Sequence, residues 1–336
     1  MGTVFAPRNG GDMRPILLIT LAVVLAFAAF AYLNNTNLFS TPGEGRPVLL
    51  AHRGLAQTYH RQDLDNETCT ATRIDPPEHP YLENTLPSMQ AAFAAGADIV
   101  EFDVHPTTDG AFAVFHDWTV DCRTEGKGVT RQHTLAQLKA LDIGYGYTAD
   151  GGATYPFRGK GVGLMPSLDE VLQTFPDRRF LIDVKSNDAS EGGLLAQRLA
   201  RLAPEALGRL MVYGGSNPID ALRARLPGVP TMSRNSLKAC ALRYLALGWS
   251  GYVPAACRQS LLLLPVDIAP YAWGWPHRLV ERLRLAGTTV FVAGAYDGGT
   301  GASGIDSDKE FRMIPARYSG GIWTNRIDRI APMTQR

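Results

Sequence analysis

The sequence has almost no charge imbalance. Its 33 Lys and Arg face 32 Asp and Glu, for a net charge of +1. No basic tract stands out, so nothing implies a nucleic-acid partner. The composition of a disordered chain is also missing: 45% of residues are hydrophobic and only 19% charged, as in globular proteins. Cysteine is scarce, with four in 336 residues. One stretch lacks charge altogether. Pro15 to Leu33, PILLITLAVVLAFAAFAYL, carries none and has only two hydroxyls, on Thr20 and Tyr32. At about 1.5 Å per residue it is long enough to cross a hydrocarbon core of roughly 30 Å.

Arg8 and Arg14 precede this run, offset only by Asp12, and no Lys or Arg lies between Leu33 and Glu44. The positive-inside tendency then predicts a cytoplasmic N-terminus over residues 1–14 and a transmembrane anchor over 15–33. Residues 34–46, NNTNLFSTPGEGR, read as a polar linker. Residues 47–336 follow as one large domain, long enough for an α/β barrel of roughly 250 residues. A cleaved signal peptide, with small residues around Ala26 to Ala29 as its site, is the competing reading. Both place the domain outside the cytoplasm, on the periplasmic or extracellular side.

Within that domain, Ala97 to Asp117 reads as strand, tight turn, strand. Ile99, Val100, Phe102 and Val104 give the first strand its apolar content, and Asp109-Gly110 is a turn dipeptide. Glu101 and Asp103 are two residues apart, so both carboxylates leave the same side of the sheet. Two carboxylates on a buried strand face are costly unless a cation sits between them, and a hard divalent ion takes carboxylate oxygens. A solvated strand with chance acids is the alternative. The second strand ends in His116-Asp117. A short apolar strand, Pro47 to Ala51, ends similarly in His52-Arg53-Gly54. Between the two lie a long irregular stretch, Leu55 to Pro80, and a helix opened by Glu83-Asn84-Thr85 and closed by Gly96. Either Asn84 or Thr85 can cap that helix, and Leu86, Met89, Ala92 and Phe93 form its buried stripe.

Taken in order, His52-Arg53-Gly54, Glu83-Asn84-Thr85, Gly96-Ala97, Glu101 and Asp103, Thr108-Asp109-Gly110 and His116-Asp117 resemble the glycerophosphodiester phosphodiesterase family. Each piece is weak alone; the ordered set is specific, and it covers Val48 to Asp117. The resemblance implies a distorted (β/α)8 TIM barrel of the phospholipase-C-like phosphodiesterase type, with its site at the C-terminal ends of the strands.

The remaining sequence is compatible with that fold. Helices are expected over Thr134 to Leu141, Ser167 to Phe175, Gly192 to Leu202, Pro218 to Leu226, Leu237 to Leu247 and Pro276 to Ala286. Counting Ala111 to Phe115 as the third strand, the fourth to eighth are expected at Arg179 to Val184, Leu210 to Tyr213, Pro230 to Met232, Thr288 to Ala293 and Gly320 to Thr324. Alternating strands and helices favour a parallel α/β sheet; by pattern alone a doubly wound open sheet remains possible. Gly144 to Gly163 reads as a surface insertion near the site, and Asp297 to Glu310 as a flexible surface loop. Tyr271, Trp273 and Trp275 line either the pocket or the core.

The resemblance also implies roles. One divalent ion, Ca²⁺ or Mg²⁺, would be held by Glu101, Asp103 and Asp183. Arg53 and Lys185 would bind the substrate phosphate, His52 and His116 would serve as the acid/base pair, and Glu83 would support the metal or orient Arg53. Three departures stand out. Asp183 replaces the usual Glu, as in the related sphingomyelinase D-type enzymes. Asn325 stands where Asp is common, and Ala293-Gly294-Ala295-Tyr296 replaces a W-T-x-N segment. Four cysteines outside the cytoplasm suggest disulfides. Cys69 with Cys122 would pin the first insertion over the site, and Cys240 with Cys257 would close a local loop. The Cys69–Cys122 bridge is the expectation; the other connectivities, or free buried thiols, are the alternatives.

The expected function is metal-dependent hydrolysis of a small-molecule glycerophosphodiester to glycerol 3-phosphate and an alcohol, beside a membrane. A phospholipase D-type hydrolase of lysophospholipid or sphingolipid is one alternative. A barrel that binds a headgroup without cleaving it is another, against which stands the presence of every acid, both histidines and both cations.

Overall fold

The computed structural model describes residues 13–38, 40, 45–64, 68–296, 298 and 303–335. Most of the expected cytoplasmic segment and part of the linker, including Arg8 and Asp12, lie outside the described residues. A 22-residue helix, Arg14–Asn35, carries the uncharged run with its apolar side chains exposed. It continues two residues into the expected linker, through Asn34 and Asn35.

The domain begins with β1 (Val48–Ala51), then β2 (Ile99–Pro106) and β3 (Phe112–Val114). β4 (Arg179–Val184), β5 (Leu210–Gly214), β6 (Thr231–Ser233), β7 (Leu261–Pro265), β8 (Thr289–Ala293) and β9 (Gly321–Thr324) follow. Eight strands pair in parallel in the order β6-β5-β4-β2-β1-β9-β8-β7, a nearly closed barrel, and helices alternate with them in the chain.

The strand count was right for a partly wrong reason. Ala111 to Phe115 is not a stave of the barrel. As β3 it folds back antiparallel onto the end of β2, with Val104 opposite Val114. The missing stave is β7, LLLLP, an unbroken leucine run. It has no alternation to mark it, and a strand buried on both faces needs none.

Alternation along the strands sorts the two cores. Leu50, Ile99, Leu181, Met211, Leu261, Phe291 and Trp323 fill the barrel interior. Their neighbours Leu49, Val100, Phe102, Phe180, Ile182, Val212 and Ile322 face the helices. On β2 the inward positions are therefore Ile99, Glu101, Asp103 and His105; on β4 and just past it they are Leu181, Asp183 and Lys185. Apolar side chains plug the N-terminal end of the barrel and polar ones crowd the C-terminal end.

A third core supports that end. Ala71, Ile74, Phe115, Val120, Leu138, Ile143, Tyr147, Phe157 and Met165 pack together. Ala71 and Ile74 of the long irregular stretch and Tyr147 and Phe157 of the expected surface insertion thus share a packed interior. Disulfides join Cys69 to Cys122 and Cys240 to Cys257; the first is tied into this third core.

Candidate active site

β2 and β4 pair with Asp103 directly opposite Asp183, and Glu101 lies one inward position below Asp103. Carboxylate oxygens of the three lie within 4.8 Å of one another, and all three residues are buried. Two cations face them. Lys185 Nζ is 3.0 Å from Asp183 Oδ2 and 3.3 Å from Asp103 Oδ1, and Arg53 Nε is 3.3 Å from Asp103 Oδ2.

The turn after β1 is shaped to deliver these groups. Arg53 (φ 58°) and Gly54 (φ 81°) are both left-handed. A Cβ on Gly54 would lie 2.6 Å from Ser88 Oγ and 2.9 Å from the Ser88 backbone, so only glycine fits against the helix Leu86–Ala94. The Arg53 backbone N–H then donates to Glu101 Oε2 at 3.0 Å, and its guanidinium reaches Glu83 Oε1 at 3.2 Å. Thr85 is the helix cap. Asn84, also left-handed at φ 61°, is released to clasp Asp103: its Nδ2 donates to Oδ2 at 2.7 Å and its Oδ1 accepts the Asp103 N–H at 3.1 Å.

The electrostatics follow from three acids and two cations in one buried place. Burial and the neighbouring Asp103 push Glu101 well above the usual carboxylate range. Burial likewise lifts Asp183 to about 6, with Lys185 opposing and Asp103 assisting. Burial would also raise Asp103, but Lys185, Arg53, His116 and Asn84 together hold it well below the usual range. Asp103 Oδ1 has no hydrogen bond. Three converging carboxylates, one with a buried oxygen that accepts no hydrogen bond and meets the Lys185 ammonium at 3.3 Å, match the oxygen-donor preference of a hard divalent cation. The residues present therefore fit such an ion.

The two histidines are held differently. His52 Nδ1 meets Asn325 Oδ1 at 2.6 Å. Asn325 in turn donates its Nδ2 to Asp306 Oδ2 at 2.6 Å and its backbone N–H to Asp306 Oδ1 at 2.7 Å. The amide must then present its oxygen to His52, which makes Nδ1 the protonated nitrogen and leaves Nε2 with the lone pair, 3.7 Å from Glu101 Oε2. His116 Nδ1 instead meets a carboxylate, Asp117 Oδ1, at 2.7 Å. Burial and Arg53 hold the His52 imidazole well below its ordinary value. His116 is lowered by burial, Arg53 and Lys185, with Asp103 and Asp117 opposing.

Several members of this constellation escaped the sequence reading. Tyr213, on β5 opposite Asp183, donates its hydroxyl to Glu101 Oε1 at 2.7 Å; its inward parity at a strand's end was the available signal. Arg123, next to Cys122, is almost fully buried and joins Asp117, Glu83, Tyr147 and Thr70. Asp306 belongs to a segment expected to be a flexible loop, and its contacts to Asn325 depend on tertiary placement. His105 is buried with no partner on Nδ1. Tyr271, Trp273 and Trp275 are not at the site: Tyr271 is exposed, Trp273 donates to Leu245 O, and Trp275 stacks near Tyr318. A cavity of ≈ 230 Å³ opens beside His52, lined among others by Arg53, Tyr59, Arg61, Glu83 and Asn325.

The model of the glycerophosphoryl diester phosphodiesterase family matches residues 52–202. That stretch of the chain is similar to the family. Among its relatives, a glycerophosphodiester phosphodiesterase of Bacillus subtilis is 38% identical over 114 residues, which is 33% of this chain and 38% of that protein. One from Caldanaerobacter subterraneus is 36% identical over 103 residues, 31% of this chain and 39% of that protein. The chain thus spans less than half the length of these two relatives. Whole-domain likeness comes from solved structures. The glycerophosphoryl diester phosphodiesterase domain of a Mycobacterium tuberculosis protein superposes with a TM-score of 0.59 at 18% identity, covering 86% of this chain and 99% of that one. A phosphodiesterase of Oleispira antarctica, solved with the product sn-glycerol-3-phosphate, gives 0.54 at 18% identity, covering 87% and 98%. At such identities the likeness establishes the barrel fold.

Proposed function

We propose that this chain hydrolyses a glycerophosphodiester to glycerol 3-phosphate and an alcohol. The observation that carries the reading is the placing of two differently held histidines beside one cluster of three carboxylates and two cations. A phosphodiester is an anion, so a nucleophile approaching it meets repulsion. Arg53 and Lys185 are placed to take its non-bridging oxygens through charge-assisted hydrogen bonds. Glu101, Asp103 and Asp183 would hold a divalent ion, which when bound supplies Lewis-acid neutralisation of the phosphate.

The histidines divide the proton transfers. His52 has its lone pair on Nε2 and a neutral partner on Nδ1, so it is the base that takes the proton of the attacking water. His116, backed by a carboxylate that stabilises its imidazolium, is the acid that gives a proton to the departing alkoxide. One phosphorus–oxygen bond forms, one breaks, and one proton is taken up and one delivered. Glu83 and Asn84 keep Arg53 and Asp103 in place.

A second reading, hydrolysis of a lysophospholipid or sphingolipid in the phospholipase D manner, is favoured by the exposed apolar helix Arg14–Asn35 and by Asp183. The helix would anchor the domain beside lipid. Two disulfides fit an extracytoplasmic placement. Assays on glycerophosphocholine and on lysophosphatidylcholine, each with and without chelator, separate the readings. Loss of glycerophosphocholine cleavage in chelator and in Asp103→Asn, with the fold intact, is expected. Full activity in either condition overturns the metal-assisted mechanism. Cleavage of lysophosphatidylcholine alone selects the second reading, and headgroup binding without cleavage overturns both.

A further inference from the structure

The helix Arg14–Asn35 touches the barrel along its side as well as at its end. The Phe27 ring lies 4.7 Å from that of Trp249, and Phe30 meets the same indole edge-on at 6.2 Å. At the helix terminus the contacts become polar. Asn34 and Asn35 donate their Nδ2 groups to Trp249 O at 3.0 and 2.7 Å. Arg282 donates to Asn34 O at 2.6 Å, and Arg278 donates to Thr36 O at 2.7 Å. Carbonyls that the helix end leaves without intrahelical partners are thereby satisfied by two cations.

This docking fixes a depth. Phe27 precedes Leu33, the last residue of the uncharged run, by six positions, or about 9 Å along the helix. The run itself, from Pro15, is about 28 Å long, little more than a hydrocarbon core needs. It has no slack to slide outward by that distance without exposing apolar turns to water and drawing Arg14 into lipid. If the helix spans a membrane, Trp249 is therefore carried below the polar boundary, into the zone where tryptophan is enriched. The surface around Trp249 suits that place. Leu242, Leu245, Leu247 and Tyr252 are 58%, 61%, 44% and 51% exposed. Leu242 and Leu245 are three apart on the helix Arg234–Leu247 and so share one face. Singly, exposed leucines need no explanation; here they lie within ten residues of one another on either side of Trp249 in the chain, the residue on which the apolar helix rests.

We infer that this face of the barrel, Leu242 to Tyr252, is seated in the interface of a phospholipid bilayer, making the domain a partly immersed body and not one held off on a tether. The inference rests on reading Arg14–Asn35 as a membrane anchor. The full chain, with both disulfides intact, is reconstituted into phosphatidylcholine bilayers whose acyl chains carry bromine. A single introduced cysteine bears an environment-sensitive fluorophore, at Leu245→Cys, at Leu21→Cys within the anchor, or at Val162→Cys, an exposed position in the 144–163 insertion. Quenching is expected at 21 and 245, with that at 245 at least about threefold above that at 162. Leu242→Cys repeats the measurement if the label at 245 disturbs the fold. Quenching at 21 without quenching at 242 or 245 overturns the immersed face and leaves the anchor standing. No quenching at 21 removes the anchor and the face with it.

Discussion

Arg123 Nε donates to Asp117 Oδ2 at 2.8 Å, while the other oxygen of that carboxylate holds His116 Nδ1 at 2.7 Å. The same guanidinium lies 3.3 Å from Glu83 Oε2, and Glu83 Oε1 holds Arg53. One planar cation thus holds both His116 and Arg53, the residues proposed as acid and phosphate binder. Lysine has the charge without the fork. Arg123→Lys is expected to lower kcat by about tenfold or more with a smaller change in KM. Arg123→Met leaves half-buried Asp117 and buried Glu83 without their shared cation and should cost about 3 kcal/mol of stability. Steady-state kinetics and urea unfolding check the pair. Wild-type kcat in Arg123→Lys would remove the positioning role.

Asn325 controls the other histidine by what it cannot do. Its Nδ2 is engaged by Asp306, so only its oxygen is available to His52. Asn325→Leu keeps the approximate volume and deletes the acceptor, allowing His52 the unproductive tautomer. A fall in kcat of about 10²-fold is expected. The ¹⁵N shifts of the His52 ring should move with it; unchanged shifts and unchanged kcat would show that the tautomer is set elsewhere.

The two disulfides should separate stability from turnover. Cys69–Cys122 spans 53 residues and Cys240–Cys257 spans 17. Replacing either pair by serine is expected to cost about 2–4 kcal/mol. Thr70 and Arg123, the residues that follow Cys69 and Cys122, are joined at 2.7 Å. Loss of the first bridge should therefore also lower kcat through Arg123, whereas loss of the second should not. Equal effects on kcat would break the proposed link.

His105 predicts a pH dependence of folding. Burial holds its imidazole at about 4, against 6.5 for the free group. Below 6.5 the unfolded chain takes a proton there and the folded chain does not until about 4. Stability is thus full above 6.5 and falls as pH drops through that window, by about 3 kcal/mol. His105→Phe should flatten the decline in urea midpoint between pH 6.5 and 4. An unchanged slope would assign acid sensitivity to other groups.

Much of the site was legible because its residues sit at strand ends with period-two spacing. Glu101, Asp103, Asp183 and Lys185 fall inward by parity alone, and Gly54 and Gly96 mark turns that need positive φ. The residues that were missed act across the fold. Arg123 joins groups from four separate segments, and Asp306 reaches Asn325 from a loop that carries no periodic pattern. Tyr213 lies between these cases: its position was visible, but its partner Glu101 becomes a neighbour only when the barrel curls. β7 was hidden by its own uniformity.

The barrel's closure has a consequence for how it can deform. β6 and β7 end the hydrogen-bonded order. Across the gap, Thr231 N–H reaches Gln259 O at 3.3 Å and Ser260 Oγ donates to Thr231 O at 2.7 Å. The Cys240–Cys257 bond ties the helix that follows β6 to the segment that precedes β7. Topologically the molecule is a rolled ribbon with two ends, clasped at one end of the seam, and a ribbon of that kind can widen along a line where a continuous hoop cannot. The carboxylates stand on β2 and β4, with β5 between them and the seam on one side and β1, β9 and β8 on the other. Breathing at the clasp can therefore be absorbed by the outer staves before it disturbs the spacing of Asp103 and Asp183.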